Sequence, residues 1–204
     1  MISVNKCVSN TSYTTMLVGV GCATFLLSNS VIVGSVILSS LLLFMLVNDL
    51  NLYTNKSCTL SDTQDARRLI LVLVINLIGV FAIGFLFGAL SNDVSTTADK
   101  IVSLRSTTPA SVIIIKSIIT GVLTSIAVRS YSNGSINYIL ALIAFFSIIY
   151  TDCMNCVFDA FYFGASNLFY SEPILLLKLL IVVVCNFIGC TAHNLIMNKS
   201  VMYS

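Results

Sequence analysis

Two stretches of the 204-residue chain concentrate polar side chains where long apolar runs would otherwise continue. The first covers residues 48–55, and the second contains Asp152, Asn155, Cys156 and Asp159. Polar groups inside an apolar layer are costly unless they face water or a neighbouring side chain. The first stretch is either a loop after its helix or part of a polar path. The second has the spacing i, i+3, i+4 and i+7, which on a continuous helix gives one polar face.

The composition indicates what the apolar runs do. Hydrophobic residues make up 57% of the chain and charged residues 9%, and the mean hydropathy is +1.01. Soluble domains carry about 25% charged residues, and a run of about 20 apolar residues crosses a hydrocarbon layer. We therefore predict an all-α integral membrane protein with one transmembrane domain over residues 1–204. The six predicted spans are residues 14–29, 31–48, 69–90, 110–128, 138–165 and 174–196, joined by polar connectors such as residues 91–109.

Several function classes find no support in the residues. The net charge of +2 and the lack of a basic, aromatic-rich patch argue against a nucleic-acid partner. No nucleophile, base and acid occur at readable spacing, and no glycine-rich phosphate loop is present, so we expect neither an enzyme nor a cofactor. The seven cysteines are scattered through apolar stretches, and we infer no disulfide framework or metal site from them.

Basic residues outside the spans predict the orientation, because they accumulate on the cytoplasmic side. Cytoplasmic N- and C-termini leave only Lys100 and Arg105 outside. The basic residues that this orientation makes cytoplasmic are Lys6, Lys56, Arg67, Arg68, Arg129 and Lys199. Lys116 and Lys178 fall within spans four and six, near their predicted outer ends, where we expect their ammonium groups to reach the interface.

A weak internal repeat relates the two halves of the chain. The tetrapeptide Asn-Leu-Ile-Gly at residues 76–79 recurs as Asn-Phe-Ile-Gly at residues 186–189. Two halves with three spans each must lie in opposite orientations, which is typical of transporters and channels. We predict inverted repeats over residues 10–91 and 105–199, with helices two and five broken, an aquaporin-like architecture. A chance match in an isoleucine-rich chain is the alternative explanation of the tetrapeptides.

These landmarks resemble the formate/nitrite transporter family. The family motif E-L-F-T-G-N is similar to residues 51–56, and its G-N-x-x-G motifs are similar to the segments around Asn76 and Asn186. Its external lysine before a proline is similar to Arg105 before Pro109, and its G-F-E-H-S-V-A-N-M motif falls on residues 153–161. The resemblance implies a channel or secondary transporter for small monovalent weak-acid anions such as formate, nitrite or hydrosulfide. It also implies a homopentamer in the plasma (inner) membrane.

The resemblance assigns positions to a solute path through each subunit. Arg105 would be the base at the mouth, and Thr54 would donate a hydroxyl hydrogen bond inside. An anion leaving water needs such positive charge or hydrogen-bond donors to offset its desolvation. Four of the expected path residues fall on apolar constrictions of the family: Leu38, Leu42, Tyr53 and Ile149. The full set of expected path residues is Leu38, Leu42, Leu52, Tyr53, Thr54, Asn76, Arg105, Ile149, Asn155, Cys156 and Asn186.

The chain also departs from the family pattern. The central histidine of the family is replaced by Cys156 and the preceding glutamate by Asn155, which makes the chain a divergent member without the proton-handling centre. The asparagine of the fourth span falls on or beside Gly121. Asp152 and Asp159 take apolar or small positions of the family. They would be protonated, pair with a lysine within the spans, or indicate a changed substrate.

A second hypothesis uses the cysteines. Cys153 and Cys156 form a C-x-x-C motif, and Cys185 and Cys190 lie in the sixth span. Paired thiols at this spacing occur in redox and soft-metal sites. An intramembrane thiol-redox or metal-binding protein is therefore the alternative to a channel. Its activity would depend on Cys153, whereas a channel would depend on Arg105.

Overall fold

Helices account for nearly all of the chain that the structure describes. This computed structural model describes residues 4–58, 63–132 and 137–202, and no strand occurs among them. The helices are α1 (Val4–Leu27), α2 (Val31–Val47), α3 (Tyr53–Ser57), α4 (Thr63–Leu90), α5 (Asn92–Thr107), α6 (Ala110–Ser132), α7 (Tyr138–Tyr150), α8 (Cys156–Ala165) and α9 (Ile174–Met202), with a 3-10 turn at Phe169–Ser171. The predicted all-α class is confirmed.

Long apolar helices with exposed hydrophobic faces make this an integral membrane protein. Three helices in the described part are long and apolar enough to cross a bilayer: Ala66–Leu90, Ala110–Tyr131 and Ile174–Met197. Shorter apolar helices cover Val31–Val47, Tyr138–Tyr150 and Cys156–Ala165. Large side chains such as Ile78, Leu86 and Leu180 are more than half exposed, as lipid-facing residues would be. The count of six spans stays a prediction, because the remaining spans are interrupted or begin with a polar half.

The predicted breaks in helices two and five are confirmed. The second predicted span stops at Val47 and resumes as α3, and the fifth stops at Tyr150 and resumes as α8. Each break contains an aspartate in the left-handed region, Asp49 with φ 52° and Asp152 with φ 53°. Aspartate tolerates this conformation better than most residues. The face expected on a continuous fifth helix is therefore split between a loop and the start of α8.

Two predicted boundaries were wrong. Residues 91–109 were expected as a polar connector, but Asn92–Thr107 form helix α5. Its cap is Ser91, whose hydroxyl accepts a hydrogen bond from the Val94 amide at 3.4 Å. Its buried residues Val94, Ala98 and Val102 recur every four positions, so the helix is amphipathic. Helix α1 begins at Val4, ten residues before the predicted start at residue 14. Threonine hydroxyls in its first half donate to carbonyls one turn earlier, which satisfies them inside a helix.

The two halves of the chain pack in the same order. Helix α1 packs against α2 and α4, and α6 packs against α7 and α9. The short helices cross over, since α3 contacts α6 and α9 while α8 contacts α1 and α4. Helices α2 and α7 pack against each other at the centre. This correspondence supports a duplicated three-helix unit, whose boundaries at residues 10–91 and 105–199 stay a prediction.

Candidate functional site

Two asparagines hold the starts of the short helices. The Tyr53 amide at the start of α3 donates to Asn76 Oδ1 at 2.8 Å, and the Cys156 amide at the start of α8 donates to Asn186 Oδ1 at 3.1 Å. A backbone N–H at a helix start has no partner within the helix, so each asparagine supplies the missing acceptor. Both side chains are fully buried. The asparagine of each repeated tetrapeptide therefore binds the backbone at the end of one break.

The remaining groups of these asparagines are also used. Asn76 Nδ2 donates to Thr15 Oγ1 at 3.1 Å, while Asn186 Nδ2 donates to the carbonyls of Ser117 and Met154, both at 2.9 Å. Asn186 thus ties α6, the second break and α8 to α9. Asn76 and Asn186 were both expected to line the path. Through these hydrogen bonds they position the backbone at the two breaks.

A cavity of about 290 Å³, here called the first chamber, lies beside the second break. Residues from the end of α1, the start of α2, α5, α7 and α8 surround it. Three of the expected path residues, Arg105, Ile149 and Asn155, line it together with Asp152 and Asp159. The structure therefore brings the expected mouth base and both unexplained acids to one cavity.

Three charged residues of the chamber lining and a lysine bonded to one of them form what we call the mouth cluster: Arg105, Asp152, Asp159 and Lys116. Arg105 Nη1 donates to Asp152 Oδ2 at 2.9 Å, Nη2 donates to Asp152 Oδ1 at 2.6 Å, and Nε donates to Asp159 Oδ1 at 3.2 Å. Lys116 Nζ donates to Asp152 Oδ2 at 3.1 Å. Arg105 is 5% exposed and Asp159 is 2% exposed. The two bases and two acids cancel in formal charge.

The cluster shows ion pairs for both acids, which is one of the alternatives left open for them. Asp152 pairs with Lys116, as one alternative proposed, and both acids pair with Arg105. Burial alone would lower the pKa of Arg105, but Asp159 and Asp152 raise it above its ordinary value, so the guanidinium stays charged. Lys178 pairs with neither acid. Its ammonium donates to the carbonyls of Arg105, Ser106 and Thr108 at 2.9, 2.5 and 3.0 Å and so caps the end of α5.

Asn155 and Cys156 take structural roles at the start of α8. Asn155 is the N-cap, and its Oδ1 accepts a hydrogen bond from the Val157 amide at 3.0 Å. Cys156 has no exposed surface and does not line the first chamber. The residue in the position of the family histidine is therefore buried in the core, and Asn155 reaches the cavity instead.

A second chamber of about 340 Å³ lies beside the first break. Its lining includes Leu46 at the end of α2, Asp49 in the break, Asn55 in α3 and Tyr131 at the end of α6. Lys56 Nζ donates to Asp49 Oδ1 at 2.6 Å, and the Tyr131 hydroxyl donates to the Val47 carbonyl at 3.3 Å. Asn55 lies in the polar stretch at residues 48–55, but the sequence did not single it out there as a site residue.

Helices α2 and α7 run between the two chambers. Val31 at the start of α2 lines the first chamber and Leu46 near its end lines the second, a helix length of about 25 Å for 17 residues. Ile149 at the end of α7 lines the first chamber, while Tyr138 at its start stacks on Tyr131 of the second. The two breaks thus line opposite chambers instead of meeting in one cavity.

The other expected path residues are buried and line neither chamber. Leu38 and Leu42 lie midway along α2 with at most 1% exposure, and the Leu38 side chain packs at Gly21 of α1. The Tyr53 hydroxyl donates to the Val183 carbonyl of α9 at 3.4 Å. The residues in this group are Leu38, Leu42, Leu52, Tyr53 and Thr54. Leu38 and Leu42 therefore place buried apolar side chains on the part of α2 that lies between the chambers.

Gly121 explains one departure from the family pattern. A Cβ atom at this position would collide with backbone atoms of Asn186 and Cys190 in α9. Helices α6 and α9 approach each other closely here, and small residues permit such approach in membranes. The space that a fourth-span asparagine would need is filled by the neighbouring backbone.

The cysteines do not assemble a thiol or metal centre at the second break. Cys153 and Cys156 are both free, and the Cys153 sulfur lies 3.2 Å from Thr151 Oγ1. Within the described ranges, no group of three or more histidine, cysteine or acidic residues could hold a metal ion. Cys58 and Cys190 instead form a disulfide between the end of α3 and α9, with Cα atoms 5.2 Å apart. The expectation of unpaired cysteines was wrong for these two.

Comparison with solved structures identifies the fold. The chain is similar to a structure described as an FNT family ion channel, with a TM-score of 0.76 and 16% identity over 96% of this chain and 97% of that one. It is also similar to a pentameric formate channel with formate bound, with a TM-score of 0.69 and 14% identity over 98% and 97%. No family model and no curated protein matches the chain. The fold is that of these channels over nearly the whole length.

Proposed function

We propose that this chain, which has the fold of the formate channels, is a divergent formate/nitrite transporter. It would act as a channel or secondary transporter for small monovalent weak-acid anions such as formate, nitrite or hydrosulfide. Each subunit of a homopentamer would hold its own path in the plasma (inner) membrane, with both termini cytoplasmic. No catalytic role is proposed.

One observation carries the proposal. Two chambers of about 290 and 340 Å³ lie at opposite ends of the same helix pair, α2 and α7, and each is bordered by one helix break. Interrupted helices are tolerated in a membrane where they border a water-filled cavity. A protein with a purely structural role would have no need of a break at each end.

The mouth cluster determines how an anion would enter. Arg105 donates three N–H groups to Asp152 and Asp159, out of the five that a guanidinium carries. The two carboxylates fix the guanidinium in position and cancel much of its long-range field. We therefore expect weak electrostatic steering of anions, and recognition by short-range hydrogen bonds at Arg105.

The apolar packing between the chambers favours the neutral acid over its anion for the central step. Leu38 and Leu42 offer no hydrogen-bond donor, and an ion between them would keep most of its desolvation cost. The conjugate acid of formate or nitrite avoids that cost. The thiol alternative is not favoured, because Cys153 and Cys156 form neither a pair nor a metal site in the structure.

Flux into proteoliposomes tests the proposal. Stopped-flow light scattering would compare formate, nitrite, hydrosulfide, acetate and lactate at two pH values. We expect flux of the smallest acids, faster at the lower pH. Arg105→Glu should abolish it, Arg105→Lys should retain part of it, and Cys153→Ser should leave it unchanged. Loss of activity with Cys153→Ser but not with Arg105→Glu would favour the thiol alternative, and no flux above protein-free liposomes would contradict the channel.

The assembly has its own test. Native mass spectrometry of the detergent-solubilised chain should give about five times the subunit mass of 22.1 kDa. A stable monomer or dimer under the same conditions would contradict the pentamer without affecting the proposed path, which lies within one subunit.

A further inference from the structure

The second chamber contains a buried amide without a partner. Among the residues that the structure describes, the buried side-chain polar atoms that lack a hydrogen bond are Ser35 Oγ and both Nδ2 and Oδ1 of Asn55. Asn55 is 4% exposed and lines the second chamber. A buried polar group left unsatisfied is costly, so each one needs an explanation such as a bound water, ion or ligand.

The other polar groups of this chamber already have partners. Asp49 and Lys56 form an ion pair at 2.6 Å, and the Tyr131 hydroxyl donates to the Val47 carbonyl. The apolar side chains of Leu46, Leu50 and Val128 complete the lining. Asn55 is therefore the lining residue whose amide has an unused donor and an unused acceptor.

We infer that Asn55 forms a subsite of the second chamber that binds a small carboxylic acid in its protonated form. A carboxamide presents a donor and an acceptor side by side. A protonated carboxyl group presents the complementary pair, its carbonyl oxygen to Nδ2 and its hydroxyl to Oδ1. A carboxylate or nitrite ion offers acceptors only, and one of its oxygens would face the lone pairs of Asn55 Oδ1.

The inference rests on the proposed function and adds to it the protonation state recognised at this end. The first chamber is lined by Arg105 together with Asp152 and Asp159, and the guanidinium N–H groups of Arg105 suit an anion. At the second, the unpaired group is neutral and suits an acid or a primary amide. The two ends of the path therefore differ in the form of the solute that they bind.

Amides provide a probe that does not titrate. Formamide has the donor and acceptor arrangement of formic acid, whereas N,N-dimethylformamide keeps the carbonyl and has no N–H group. We expect formamide to inhibit formate flux into wild-type proteoliposomes and N,N-dimethylformamide to have an effect at least about tenfold weaker, as the loss of one good hydrogen bond implies. Equal inhibition by both amides would overturn the subsite, and this comparison needs no variant.

Variants separate binding from folding. Asn55→Leu should raise the KM for formate about tenfold at low pH and remove formamide inhibition, while leaving thermal stability unchanged or higher, because it deletes an unsatisfied buried group. Ser35→Ala removes the other unpaired group, which lines neither chamber, and should change neither KM nor inhibition. An unchanged KM and retained formamide inhibition in Asn55→Leu would overturn the inference.

A direct readout distinguishes failure of the subsite from failure of the channel. Formamide should raise the thermal unfolding temperature of the wild-type chain in detergent and leave that of Asn55→Leu unchanged. Such stabilisation without flux of any acid would contradict the proposed function and retain the subsite. Flux of formate with no stabilisation by formamide would overturn the subsite and retain the channel.

Discussion

Removing the Arg105 guanidinium should destabilise the protein, because the carboxylate of Asp159 would stay buried without its ion-pair partner. Arg105→Ala leaves Asp159, 2% exposed, without its only ion-pair partner in the described structure. Breaking a buried ion pair by deleting one partner costs about 3–5 kcal/mol. For a chain of this size, the loss corresponds to a fall of roughly 6–20 °C in the unfolding temperature, at about 2–4 °C per kcal/mol.

The same reasoning predicts which second change restores stability. The double variant Arg105→Ala with Asp159→Asn has no buried charge and should recover most of the loss. Asp152→Asn alone should cost no more than about 1 kcal/mol, because the Asp152 side chain is 58% exposed and its pairs are partly screened by solvent. Arg105→Ala, Asp159→Asn and their double variant form a cycle whose coupling energy isolates the Arg105–Asp159 pair.

A thiol-reactive fluorogenic dye can follow this unfolding. The chain has no tryptophan, but four of its free cysteines are buried and become reactive only on unfolding. These are Cys7, Cys22, Cys156 and Cys185. All variants would be heated at one scan rate, since unfolding in detergent is often irreversible. If Asp159→Asn fails to rescue Arg105→Ala, or if Asp152→Asn costs as much as Arg105→Ala, the assignment of the buried pair is refuted.

Three further predictions concern the packing around the path. Asn186→Leu should lower the unfolding temperature more than Asn76→Leu, because it removes the partner of the Cys156 amide and of the Met154 carbonyl, whereas Asn76→Leu removes that of the Tyr53 amide. Each buried backbone group left unsatisfied costs about 1–3 kcal/mol, and equal losses in the dye assay would contradict this. Gly121→Ala should prevent recovery of folded protein in gel filtration because its Cβ meets backbone of α9, whereas Gly21→Ala meets only leucine side-chain ends and should be recovered normally. Lys178→Met should accelerate amide hydrogen exchange in the last turn of α5, whose carbonyls it caps, and an unchanged rate would show that the cap is not needed.

The spans and the breaks could be predicted because they depend on local composition. Apolar runs of fixed length identify the long helices, and the polar residues around Asp49 and Asp152 interrupt the pattern where the chain changes direction. The repeated asparagines Asn76 and Asn186 were identified by their tetrapeptides. Their partners, the amides of Tyr53 and Cys156, could not be read from spacing, because the hydrogen bonds join residues 23 and 30 positions apart.

Helix α5 and the chamber residues needed the structure. The composition of α5 is polar, and only the four-residue spacing of Val94, Ala98 and Val102 indicates its buried face. Arg105 could be recognised as a mouth base, but its pairing with Asp159 brings together helices that are far apart in sequence. Asn55 belongs to the polar stretch at residues 48–55, but only the structure distinguishes it from its neighbours, because its amide is buried without a partner.

The central claim is that the two chambers belong to one solute path closed by apolar packing, and formate flux in Leu42 variants tests it most directly. Leu42 lies on α2 between the residues that line the two chambers, while Ile78 is 66% exposed on the outer face of α4. Stopped-flow measurements on proteoliposomes should show a several-fold faster formate flux for Leu42→Ala than for the wild type, and no change for Ile78→Ala. The account would be contradicted if the wild type, Leu42→Ala and Ile78→Ala all gave the same formate flux and that flux were no faster than in protein-free liposomes.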